Sequence, residues 1–149
     1  MFFTGNLCSQ FENTMKNNEY RKINFISIQE FQKDSDKLGF ASLSKDLELL
    51  QKYLRVNPRG RPPIVVRCSG LGQSLEAEIY KVREFRCTSM KGKGRRSGIR
   101  VIYAYIPHDK TDGTIIFIEM YFKGKKDNFD KKRVLQYFHK ENGLYYTAK

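Results

Sequence analysis

The chain has 149 residues, of which 40% are apolar and 13% aromatic, a size and composition suited to one domain with its own core and ill suited to disorder. No apolar run approaches the roughly 18 residues of a membrane span, and the opening Met1-Phe2-Phe3-Thr4-Gly5-Asn6 does not read as a secretory signal, so a cytoplasmic protein without a membrane partner is expected. Its 28 Lys and Arg against 16 Asp and Glu leave a formal +12, an excess that attracts phosphate or an acidic protein surface.

Residues 1–20 are polar and lack steady periodicity; they read as an N-terminal arm of unknown role, and residues 21–149 as a single domain. Arg21 to Ile26 alternates polar and apolar side chains, a short strand signal. Ser27-Ile28-Gln29-Glu30 has the form of a capping box and opens a helix that Gly39 terminates. Ser42 or Ser44 begins a second helix, in which Leu43, Leu47, Leu50 and Leu54, at intervals of 4, 3 and 4, form one apolar stripe. It stops before Asn57-Pro58-Arg59-Gly60, and Pro62-Pro63 bars helix further on. From Ile64 the pattern turns to strands: Ile64–Val66, Glu78–Arg86, Ile99–Tyr105 and Thr114–Phe122, the last three forming an antiparallel meander. A helix from about Asp130 to His139 follows. The expected architecture is α+β: an N-terminal helical hairpin packed on a small antiparallel β-sheet, with a short C-terminal helix.

The charge is concentrated. Residues 81–100 carry Lys81, Arg83, Arg86, Lys91, Lys93, Arg95, Arg96 and Arg100 against Glu84 alone, so eight bases and one acid supply +7 of the +12. A second cluster, Lys123, Lys125, Lys126, Lys131, Lys132 and Arg133, is offset only by Asp127 and Asp130. Strand alternation puts Lys81 and Arg83 on one face, with Arg100 on the neighbouring strand. Arginine's rigid fork matches phosphate oxygens, and a lysine crowded by cations gives up its proton more readily. Such a patch can hold a phosphodiester and stabilise the charge that develops as it is cut. Tyr80, Phe85, Tyr103, Tyr105, Tyr121 and Phe122 interleave with the bases, where they either stack nucleobases or, more simply, pack on the inner face of the sheet. Other chemistries find little support. Cys8, Cys68 and Cys87 form no CxxC pair, and His108 and His139 stand 31 residues apart. No phosphate-cradle, GxSxG or HExxH motif occurs, so neither metal nor cofactor is expected.

Three segments occur in a telling order: Ile79-Tyr80-Lys81-Val82-Arg83, then Ser97-Gly98-Ile99-Arg100-Val101-Ile102-Tyr103, then Met120-Tyr121-Phe122-Lys123-Gly124-Lys125-Lys126. Behind two helices, this order resembles the RelE/ParE superfamily of toxins from type II toxin–antitoxin systems, especially its RelE and HigB branches, over roughly residues 21–138. The resemblance implies a ribosome-dependent mRNA endonuclease that arrests translation. By position it implies Lys81 as acceptor of the ribose 2′-OH proton, Arg83 and Arg100 as holders of the scissile phosphate, and Lys126 as helper of the leaving 5′-oxygen. Lys91, Lys93, Arg95, Arg96, Lys123 and Lys125 then contact RNA. The implied partners are mRNA on the ribosome and an acidic antitoxin protein. The sequence departs from the family in its longer basic hairpin between Cys87 and Arg96, and in carrying Asn128-Phe129 where members often place Tyr or His. Two other readings stay open: a non-catalytic gyrase inhibitor of the ParE kind, and a plain basic RNA-binding module.

Overall fold

The computed structural model describes residues 22–71, 75 and 77–138; the arm expected at 1–20, Cys8 and His139 lie outside them. The elements are β1 (Ile23–Ser27), α1 (Gln29–Leu38), α2 (Leu43–Val56), β2 (Val65–Arg67), β3 (Glu78–Val82), β4 (Ile99–Pro107), β5 (Gly113–Phe122) and α3 (Lys131–Phe138). They form a five-stranded sheet in the order β1-β5-β4-β3-β2. The meander β3-β4-β5 is antiparallel throughout, and β2 adds antiparallel to β3.

The expected N-terminal hairpin on an antiparallel sheet is incorrect in two respects. The helices follow β1, the strand read from Arg21 to Ile26, and so do not form an N-terminal hairpin; and β1 runs parallel to β5, which makes the sheet mixed. The cause lies at residue 22. Lys22 is held beside the β4–β5 turn, where its N–H donates to Asp112 Oδ1 at 3.3 Å and its carbonyl accepts from the Gly113 N–H at 3.1 Å. A strand that enters at the start of β5 must run alongside it. The two helices then carry the chain from the β1 edge of the sheet to the β2 edge.

The capping box does not form either. Ser27 stays in β1 opposite Phe117, and the Ile28 N–H continues the ladder to the Phe117 carbonyl at 3.2 Å. Ile28 is therefore the N-cap and makes no side-chain cap bond. Glu30 instead accepts the Tyr137 hydroxyl at 2.7 Å, tying α1 to α3, and that hydrogen bond is the main influence holding its carboxyl below the usual range. Gly39 ends α1 in the left-handed conformation, φ 71°, as expected.

Pairing across the strands sorts the two faces. Phe25, Phe117, Tyr103 and Tyr80 lie on one of them, with Phe31 of α1 stacked on Phe117 at 5.3 Å and Tyr80 on Tyr103 at 5.4 Å. Such ring pairs add about 0.5–1.5 kcal/mol each beyond the area they bury. Tyr103 is fully buried, and its hydroxyl donates to the Pro58 carbonyl at 2.8 Å. The opposite face carries Lys81, Arg100, Ile102, Glu119 and Tyr121. A β-bulge decides this division: Ile102 pairs with Glu119 but Tyr103 pairs with Phe117, leaving Ile118 as an extra residue. Without it, Glu119 and Phe117 would share a face. The segment leading into α3 lies over part of this second face, because the Asp130 N–H donates to Glu119 Oε1 at 2.7 Å and the Phe129 ring lies 5.6 Å from Lys81 Nζ.

Candidate nucleic-acid interface

Four cations from three segments meet around one cleft. Lys81 comes from β3, Arg83 from just beyond it, Arg100 from the start of β4 and Lys123 from just after β5; Val66, Tyr121 and Asp127 complete the lining of a cavity of about 250 Å³. The strand that carries Lys81 is shorter than expected and ends at Val82, but Arg83 stays in place because its N–H donates to the Ile64 carbonyl at 2.8 Å.

Each central side chain is positioned by identifiable contacts. The Lys81 ammonium donates to Asn128 Oδ1 at 3.4 Å and sits over the Phe129 ring. The Asn128-Phe129 pair thus supports Lys81. The Arg100 guanidinium donates to the Arg83 carbonyl, fixing one arginine against the backbone of the other. The residues just before Arg100 have a structural task. Buried Ser97 donates from its hydroxyl to the Phe85 carbonyl at 2.5 Å and accepts the Ile99 N–H at 3.2 Å. Gly98 has φ 79°, and a Cβ there would lie 2.8 Å from the Phe122 ring. Ser97-Gly98 therefore sets the geometry from which Arg100 emerges.

The local field acts on two neighbours. Burial pushes the Cys68 thiol up to about 11, and the charge of Lys81 pulls it partly back. Burial also pushes the Tyr121 hydroxyl up to about 12; Glu119 adds to the effect and Arg100 opposes it. Tyr121 is therefore a neutral hydroxyl at physiological pH, able to donate a hydrogen bond.

Two further clefts adjoin the first. One, of about 620 Å³, shares Arg83, Arg100 and Lys123 with it and adds Arg95 and Arg96. The other, of about 350 Å³, shares Val66 and Lys81 and adds Arg67, Ser69, Asn128 and Lys131. Arg67 and Lys131 do not stand out in the sequence. Arg67 is an isolated base and Lys131 belongs to the second basic cluster, and neither has a local signature that links it to the site; only the β2–β3 pairing and the start of α3 bring them to Lys81.

Lys126 is placed differently from its expected partners. Its ammonium pairs with buried Glu119 and lies 5.7 Å from the centroid of the Tyr121 ring. It lines a separate cavity of about 540 Å³ with Lys125, Phe40, Met90 and Phe122. Lys91 and Lys93 are exposed in the basic hairpin and line none of these clefts. Of the interleaved aromatics, Tyr80, Phe85, Tyr103 and Tyr105 are core residues, while Tyr121 and Phe122 reach cavity walls. His108 stands at the far end of the sheet, 2.8 Å from the Thr114 hydroxyl. Among the described residues, no three His, Cys, Asp or Glu gather as metal ligands would, and no helix is long and apolar enough to cross a membrane.

Comparison of the chain with protein-family models, with curated proteins and with solved structures finds no match.

Proposed function

We propose that the central cleft binds the phosphodiester of single-stranded RNA and that the protein cuts it there, acting as a translation-arresting endonuclease of RelE type on ribosome-bound mRNA. The observation that carries this reading is the convergence of Lys81, Arg83, Arg100 and Lys123 on one small cleft whose lining holds a single acid, Asp127. A solvated basic surface has no reason to draw four like charges together from three segments, since their mutual repulsion opposes it. A bound phosphate removes that cost.

In the proposed reaction the ribose 2′-oxygen attacks the adjacent phosphorus, the bond to the 5′-oxygen breaks, and the products are a 2′,3′-cyclic phosphate and a 5′-hydroxyl. Lys81, as the amine, accepts the 2′ proton. Arg83 and Arg100 neutralise the additional negative charge on the phosphoryl oxygens, the kind of electrostatic stabilisation that supplies several kcal/mol of rate enhancement. Lys126 is engaged by Glu119, so donation to the leaving 5′-oxygen falls to Lys123, which shares the cleft. Holding the 2′-oxygen in line with the leaving group contributes as much as the proton transfers.

The test is ribosome-programmed mRNA cleavage by the purified chain, with ends mapped for a cyclic phosphate and a 5′-hydroxyl. Lys81→Ala and Arg100→Ala should each reduce cleavage by about 100-fold or more, on the order expected for removal of a base or an oxyanion donor, and relieve growth arrest. Full cleavage by the double variant would end this reading. Inhibition of gyrase supercoiling without RNA cleavage would favour the ParE-like alternative instead.

A further inference from the structure

The three clefts around Lys81 and Arg100 are not separate. The outer two each share lining residues with the central one: Val66 and Lys81 on one side, and Arg83, Arg100 and Lys123 on the other. Together they form one groove that runs from Arg67 and Lys131, through Lys81, Arg83, Arg100 and Lys123, to Arg95 and Arg96. Eight cations line it, against Asp127 and Glu84. Glu84 lies 3.9 Å from Arg95, a loose pairing. Arg67 is likewise only 3.9 Å from Glu78, whose carboxylate is already held by Arg59 at 2.8 and 3.0 Å.

We infer that this groove is an extended binding track for several consecutive phosphates of a single strand, and that Arg67 and Lys131 form an anion subsite on the far side of Lys81 from the arginine-rich hairpin. The inference rests on the proposed RNA reading and extends it: the substrate is a run of at least three phosphates held by the protein itself, without help from a ribosome. A charged peptide fits the groove less well. Peptide grooves of the helix- or strand-docking kind take large apolar anchors, and of the apolar residues here Tyr121 and Phe129 are buried to more than nine-tenths, leaving only Val66, partly buried, and Pro63, exposed, to offer such contact. A single strand needs a line of cations at intervals, which is what the groove supplies. Arg67 and Lys131 are exposed, so replacing them leaves the core intact.

The experiment measures binding of RNA oligomers, from a dinucleotide to an octanucleotide and with no ribosome present, to the full chain by fluorescence competition across a salt series. The intact protein should gain affinity with length up to about the number of phosphates the groove spans. In the double variant Arg67→Ala, Lys131→Ala that gain should shrink, with the octanucleotide bound roughly tenfold more weakly. The slope of log affinity against log salt should also become shallower by about 0.7 for each phosphate no longer neutralised. Retention of the full length gain and salt slope by the variant would overturn the track while leaving the central cleft standing. Absence of binding at every length would overturn the track and leave cleavage on the ribosome to its own test, whereas binding indifferent to Arg100→Ala would overturn both the central cleft as the RNA site and the track. Displacement by polyglutamate but not by RNA would assign the groove to an acidic protein.

Discussion

Arg100 and Lys81 reach the cleft only because less conspicuous residues hold the backbone and ammonium groups around them. The Ser97-Gly98 pair ahead of Arg100 shows how closely that support is drawn. Gly98→Ala should destabilise the protein by about 1–3 kcal/mol, since φ 79° disfavours any side chain and the new methyl would press on Phe122; the shift in urea midpoint reads it. A second residue-scale case lies at the other end of β3. Glu78 is partly buried, which alone would raise its pKa, but hydrogen bonds from Arg59 and Tyr80 outweigh this and hold the carboxyl below its ordinary 4.5. A depressed carboxylate contributes stability above its unfolded pKa and loses it as pH falls through the folded value. Arg59→Ala should therefore cost about 1 kcal/mol at neutral pH, since the pair is bidentate but its arginine is more than half exposed. The gap from the parent protein should narrow as pH falls through the ordinary carboxylate range and close below the depressed pKa of folded Glu78. Thermal unfolding between about pH 3 and 7 gives both numbers. An unchanged gap at low pH would show that Arg59 acts through its contact with the Tyr105 ring, 5.1 Å away, instead.

At the scale of elements, the basic hairpin between β3 and β4 is anchored by a buried acid in α2. Asp46 is only 4% exposed and accepts the Ser42 hydroxyl at 2.7 Å, the Thr88 N–H at 2.9 Å and the Thr88 hydroxyl at 2.5 Å. Asp46→Ala removes a charged acceptor and strands those donors, so a destabilisation of about 3 kcal/mol is expected by chemical denaturation. Accelerated proteolysis within residues 87–96 should accompany it. The elements themselves are largely legible in the sequence: the 4-3-4 leucine spacing marks α2, and alternating β-branched and aromatic runs mark β4 and β5. Their arrangement is not. The parallel docking of β1 depends on Lys22 meeting Asp112 and Gly113, a pairing that spans 90 residues of sequence. The bulge at Ile118 is equally silent, because Phe117-Ile118-Glu119 reads as ordinary alternation while the fold places Phe117 and Glu119 on opposite faces. It is the bulge that puts Glu119 within reach of Lys126, whereas Lys123 lines the cleft with Lys81, a placement the order of bases in the sequence does not reveal.

For the whole molecule, a +12 charge on 149 residues is a statement about attraction, and the fold gives that attraction a place. The concentration of bases in residues 81–100 is visible directly, as are Lys81, Arg83 and Arg100. Their convergence needs the strand pairing, and the contribution of Arg67 and Lys131 needs the β2 edge and the start of α3. One helix-covered face supplies the packed aromatic core; the other leaves its cationic half open toward solvent, where the proposed polyanion would bind. We propose that this open half cuts RNA and does not only hold it. The most direct measurement is mapping of the ends produced when the purified chain acts on ribosome-bound mRNA, beside a Lys81→Ala, Arg100→Ala variant whose unfolding curve matches the parent. The expected result is 2′,3′-cyclic phosphate ends from the parent chain and none above background from the variant. Intact mRNA with the parent protein, or the same ends at the same rate from the variant, would contradict it.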